Sequence, residues 1–177
     1  MLKRSTNAFD FAALLATEFQ GKLSSKVRAA AVAGDEHKAL ASDVRRLLEA
    51  HLESKSHTDV IFDWEGNTRP SGTQQHSYPL FGTYAHPDAA VLSPFTCAIE
   101  FDREPGDRPD WSHFKVSLMK AACHVLSRAY DASLFVYTLR RADSSASAYL
   151  SDESSHTREL LATLRASGMV VAIVPTR

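Results

Sequence analysis

The stretch Pro87-Asp88-Ala89-Ala90-Val91-Leu92-Ser93-Pro94-Phe95-Thr96-Cys97-Ala98-Ile99-Glu100-Phe101-Asp102 decides how this chain folds. Two apolar runs flank Ser93-Pro94, which turns the chain. The run 95–102 is apolar enough to predict a strand covered on both faces. If the preceding segment pairs antiparallel through the turn, Asp88 falls beside Glu100, because each lies about equally far from the turn centre. Glu100 and Asp102 alternate onto the same face, roughly 7 Å apart along the strand. Three carboxylates then converge on one sheet edge. An acid inside a core-like strand is costly unless paired or metal-bound. Converging carboxylates repel one another unless a hard divalent cation such as Mg2+ neutralises them.

Working outward, the extended region opens at Tyr78 and runs through 85–88 into Ala89. Further upstream, 57–64 is β-rich and ends at the turn signal Glu65-Gly66-Asn67. Residues 69–77 form a polar loop. Two helices precede these strands. The first spans 9–33, with Phe11, Leu14, Leu15, Phe19, Leu23 and Val27 at helical spacing. Gly34-Asp35 stops it and supplies a cap for the second, 36–54, with Leu40, Val44, Leu47, Leu48 and Leu52 on one face.

Downstream, 103–110 is a charged loop, 111–130 a long helix and 132–139 a strand. Residues 140–151 read as a polar, mobile loop, 155–167 as a helix closed by Gly168, and 169–174 as a last strand ended by Pro175. Three consecutive strands imply antiparallel hairpins, and the βαβαβ tail implies parallel right-handed crossovers. The expected fold is α/β, a mixed central sheet flanked by helices on both faces. Residues 1–35 would be a helical extension and 36–177 the core, one globular unit together.

The chain has 177 residues, with 20 Lys plus Arg, 21 Asp plus Glu and a net charge of −1, which excludes a highly basic nucleic-acid coat protein but leaves room for a local basic groove. No run approaches the ~18 apolar residues of a membrane span. A cytoplasmic protein without a membrane part is expected, with Cys97 and Cys123 as buried free thiols. There is no Gly-rich phosphate loop, no GxSxG frame and no HExxH-type spacing around His113 or His124.

Pro87-Asp88 followed by Glu100-Phe101-Asp102 resembles the signature of the PD-(D/E)xK nuclease superfamily, as does the order helix, three-strand meander, helix, strand over 36–140. The resemblance implies a restriction-endonuclease-like fold and Mg2+- or Mn2+-dependent hydrolysis of phosphodiester bonds, in DNA with RNA not excluded, by a possible homodimer. It implies Asp88, Glu100 and Asp102 as metal ligands. Asp102 departs from the pattern, which has a lysine there, and some members supply that lysine from the following helix. On that helix Trp111, Phe114, Leu118, Ala121, Ala122 and Val125 form the apolar face. Lys115 lies about 60° from its centre and Lys120 about 160° away, so Lys115 is the expected catalytic lysine and Lys120 should face solvent. Glu36 is the candidate for a helix glutamate that reaches the metal through water, with Glu49 and Glu53 as competitors. His86 could orient a phosphate or water, or be a plain loop residue. Arg69, Arg103 and Arg108 are the nucleic-acid-binding candidates, with Arg140 and Arg141 further along. The alternative is a nuclease-like binding or regulatory protein that has lost catalysis.

Overall fold

The computed structural model describes residues 6–53, 61–64, 78–80, 83–85, 87–106, 111–150 and 155–176. In chain order these form α1 (Thr6–Gln20), α2 (Ser24–Ala33), α3 (Glu36–Glu53), β1 (Ile61–Trp64), β2 (Tyr78–Leu80), β3 (Thr83–Ala85), β4 (Ala89–Ser93), β5 (Cys97–Arg103), α4 (Trp111–Leu126), β6 (Ala132–Thr138), α5 (Ala146–Leu150), α6 (Ser155–Ala166) and β7 (Met169–Val174). No described helix is long and apolar enough to cross a membrane.

One five-stranded sheet has the order β1-β4-β5-β6-β7. The β1/β4 and β4/β5 pairs are antiparallel, and β5/β6 and β6/β7 are parallel. This is the expected mixed sheet. Its side chains alternate between two cores. Ile99, Leu134, Val136 and Ala172 face the layer of α1, α2 and α3. Phe135, Tyr137 and Ile173 face α4, α5 and α6, against Phe114, Leu118, Ala122 and Tyr149.

Three expectations need correction. The helix expected over 9–33 is two helices. Gly21, a poor helix residue, sits in a turn at 21–23 between them, and its N–H still bonds Thr17 O at 2.9 Å. The continuous segment expected from Tyr78 to Leu92 is three short strands, of which β2 and β3, among the described residues, pair with each other and not with the main sheet. The loop expected over 140–151 contains α5, whose Tyr149 is fully buried.

The residues expected as an N-terminal extension supply core. Phe11, Leu15, Phe19 and Val27 are fully buried in the cluster that holds Ile99 and Leu134. This layer also covers the edge of the sheet at β7. Gln20 Nε2 donates to Ile173 O at 3.1 Å, and Arg28 donates to Pro175 O at 3.2 Å. Capping carbonyls at an edge strand in this way removes a template for pairing with another chain.

Candidate functional site

Asp88 immediately precedes β4. The β4/β5 register pairs Ala89 with Ile99 and Ala90 with Ala98, so its next step sets Asp88 opposite Glu100. Asp88 Oδ2 accepts the backbone N–H of Phe101 at 2.8 Å, tying it to β5 beyond the last paired residue of β4. The pairing expected from Ser93-Pro94 therefore forms.

Glu100 and Asp102 both turn toward α4, which packs over β6 and β5. Lys120 Nζ donates to Glu100 Oε2 at 2.8 Å, and His124 Nε2 donates to Glu100 Oε1 at 2.5 Å. His113 Nε2 lies 3.0 Å from Asp102 Oδ2, Ser117 donates to the same oxygen, and Arg103 N–H donates to Oδ1 at 2.7 Å. The four helix residues fall at i, i+4, i+7 and i+11. At 100° per residue they make one stripe, about 130° from the centre of the apolar face. Glu100 is only 3% exposed and His124 is fully buried, whereas the Lys120 side chain is 49% exposed. Lys120 thus lays its stem along the protein and carries its charge to the acid. Its partial burial pulls its pKa down, but the Glu100 charge and hydrogen bond, with Asp88 and Asp102 adding to the field, outweigh this and raise it. The ammonium therefore stays charged.

The structure thus brings Lys120, not Lys115, to the acids. Both lie off the apolar face, but on opposite flanks: the flank with Lys120 overlooks β5, and Lys115 is exposed on the other. Among the described residues, no three His, Cys, Asp or Glu side chains are grouped to hold one ion. Asp102 is engaged by His113 and Ser117, and Asp88 by a backbone N–H. Glu36 opens α3, in the layer on the other face of the sheet, and is 8% exposed. Arg103 also turns to that face. It donates to Ala31 O in the last turn of α2, beside Gly34, whose φ of 73° closes that helix. It is a helix-end cation on the side away from Glu100. Arg69, Arg108 and His86 lie outside the described residues.

His113, Ser117 and His124 were not among the expected site residues. HExxH spacing was the wrong template for them. The usable signal was a polar stripe, His113-x3-Ser117-x2-Lys120-x3-His124, running beside an apolar one. Cys97 is excluded as a nucleophile, because burial, with Asp131 adding, pushes its thiol up to about 12.

In comparison with known proteins, no family model, no curated protein and no solved structure matches this chain.

Proposed function

We propose that the chain is a metal-dependent nuclease, hydrolysing phosphodiester bonds in DNA with Mg2+ or Mn2+, on a restriction-endonuclease-like core. The observation that carries this reading is the 2.8 Å contact of Lys120 with Glu100, on a strand whose antiparallel neighbour begins directly after Asp88. An acid pair across two strands with a lysine from the following helix is the form that the resemblance allows when the motif lysine is displaced. In the five-stranded sheet and its flanking helices, apart from the separate β2/β3 pair, the order α3, β1, β4, β5, α4, β6, with its meander and parallel crossover, supports the same reading.

The donor chemistry fits a hard cation. Carboxylate oxygens suit Mg2+, which takes one or two of them and completes its shell with water and phosphate. Asp88 and Glu100 would hold it, while Asp102 orients His113 and Ser117. When bound, the cation would lower the pKa of a water and neutralise charge on the phosphate. The protein's own residues do the rest. His124 fixes the Glu100 carboxylate by its 2.5 Å hydrogen bond, and the Lys120 ammonium binds the phosphate or the attacking water. Exposed Arg140, just past the end of β6, adds positive charge for the DNA backbone. A cytoplasmic homodimer would cut both strands.

The second reading, a catalytically degenerate binding protein, is favoured by the protein donors that all three acids already have. Plasmid cleavage with Mg2+ or Mn2+, comparing the native protein with Asp88→Ala, tests both. Cleavage lost in the variant supports the nuclease. DNA binding without cleavage supports the second reading, and neither activity sinks both.

A further inference from the structure

We propose that the outer face of α4 is a self-association surface, on which a second copy of this chain docks antiparallel about a two-fold axis level with Ala121. Such an interface would serve the homodimer of the reading above, but it rests on the helix surface alone and does not depend on nuclease activity.

Of the five exposed large apolar side chains among the described residues, three lie on α4: Val116 at 71%, Met119 at 42% and Leu126 at 48%. Cys123, partly exposed, falls in line with them. Scattered singly, such residues need no explanation. These four are spaced i, i+3, i+7 and i+10, the seam of a helix pair. At 100° per residue the seam is centred about 120° from the buried apolar face, on the flank away from the polar stripe. Pairing there keeps clear of the side chains that hold Glu100 and Asp102.

The spacing reads the same in both directions. A copy turned end to end sets Val116 against the partner's Leu126 and Met119 against the partner's Cys123, a larger side chain against a smaller one at each level. A surface built for a foreign helix has no reason for that symmetry, whereas a two-fold dimer requires self-complementarity. Charge agrees. No charged residue lies in the seam, and Lys115 on its rim meets the partner's exposed Ser127, which keeps the two lysines about 18 Å apart along the axis. A single crossing of 16-residue helices buries less than the roughly 1,200 Å2 of a stable complex, so the dimer forms and dissociates in the micromolar range.

The test is sedimentation velocity of the full chain over a concentration series. The native protein should pass from monomer to dimer in the micromolar range. Val116→Glu and Leu126→Glu, both at exposed positions, should each weaken the dimer at least about tenfold. Val116→Glu combined with Leu126→Lys in one chain should restore it, because each new acid then meets the partner's new lysine. Within one helix the two positions stand about 15 Å apart and do not pair. Circular dichroism checks that each variant folds, and Val116→Ser and Leu126→Ser, expected to weaken the dimer likewise, replace a charged variant that does not. A native protein that stays monomeric at every concentration overturns the proposal and leaves the seam to a different partner. A dimer indifferent to the single substitutions overturns it as well, and one weakened by both but not restored by the combined variant overturns the two-fold pairing. Plasmid cleavage by a chain that never dimerises would leave the nuclease reading standing without this interface, whereas a dimer that does not cleave would uphold the interface and retire the nuclease alone.

Discussion

Glu100 and Glu104 stand four residues apart along the same stretch of chain and are held in opposite ways. Glu104 is fully buried and accepts from Ser144, from Tyr149 OH at 2.5 Å, from the backbone N–H of Arg140 at 3.0 Å and of Arg141 at 3.1 Å, with the Arg141 guanidinium at 3.2 Å. All of these come from residues 140–149, the segment after β6 and α5 itself. Glu100 instead takes both its partners from α4, one buried and one half-exposed. A carboxylate saturated by short, buried donors is sealed and serves the fold. One held by a long charged side chain at the surface has a partner it can exchange. The contrast separates a structural acid from a candidate functional one, and it can be broken experimentally.

The largest effect should follow Glu100→Gln. Plasmid cleavage should fall at least about 1000-fold, about 4 kcal/mol in the barrier, because a neutral amide neither ligates the cation nor balances Lys120. The melting temperature should change little, since the amide still accepts a hydrogen bond from His124 or Lys120. A large loss of stability with cleavage intact would put Glu100 in the same class as Glu104.

Glu104→Gln should invert that pattern. Five donors surround two oxygens, and a Gln turns one oxygen into an amino group that faces donors. The expected loss is about 3 kcal/mol, or roughly 6–12 °C in melting temperature for a chain of this size. Burial alone would raise the Glu104 pKa, but hydrogen bonds from Ser144, Tyr149, Arg140 and Arg141 outweigh it and hold it at about 2, against an ordinary 4.5. The unfolded chain therefore binds more protons between these values. The stability Glu104 contributes is fully present above 4.5 and is lost as pH falls through about 2. The gap between native and variant melting temperatures should narrow over that window. A gap independent of pH would mean that the variant acts through packing and not through charge.

Next comes the pair of lysines. Lys120→Ala should slow cleavage well over tenfold, about 1.4 kcal/mol or more, while Lys115→Ala should stay within about twofold. The reverse order would mean that the β5 flank of α4 is not where phosphate binds.

Why that flank was misread shows where sequence reasoning stops. Periodicity gives a helix residue's angle from the apolar face and the flank it falls on, but not which strand that flank overlooks. Lys115 and Lys120 were therefore ranked by angle alone, although they overlook different neighbours. By contrast, Asp88 opposite Glu100 was legible, because a short turn and a two-residue period fix register by counting. The pairing senses were legible too: hairpins along the chain pair antiparallel, and crossovers through a helix pair parallel. Glu104 was not, since its donors lie 36 to 45 residues away in a segment whose composition reads as loop. Arg103 was misjudged by ignoring alternation: next to Asp102, it must face the other side of the sheet.

The smallest effect tests that last correction. Arg103 donates to Ala31 O at the C-terminal end of α2, where a cation completes an unpaired carbonyl and meets the negative end of the helix dipole. Arg103→Ala should cost about 1 kcal/mol, or roughly 2–4 °C in melting temperature, and Arg103→Lys should recover part of it. DNA affinity and its salt dependence should be unchanged, because the guanidinium lies on the opposite face from Glu100 and Lys120. A residue that contacts phosphate would behave differently: its removal would weaken binding to all sequences alike and reduce the salt slope by about 1. Affinity measured at several salt concentrations, alongside the melting curve, distinguishes a helix-end cation from a DNA contact on a single variant.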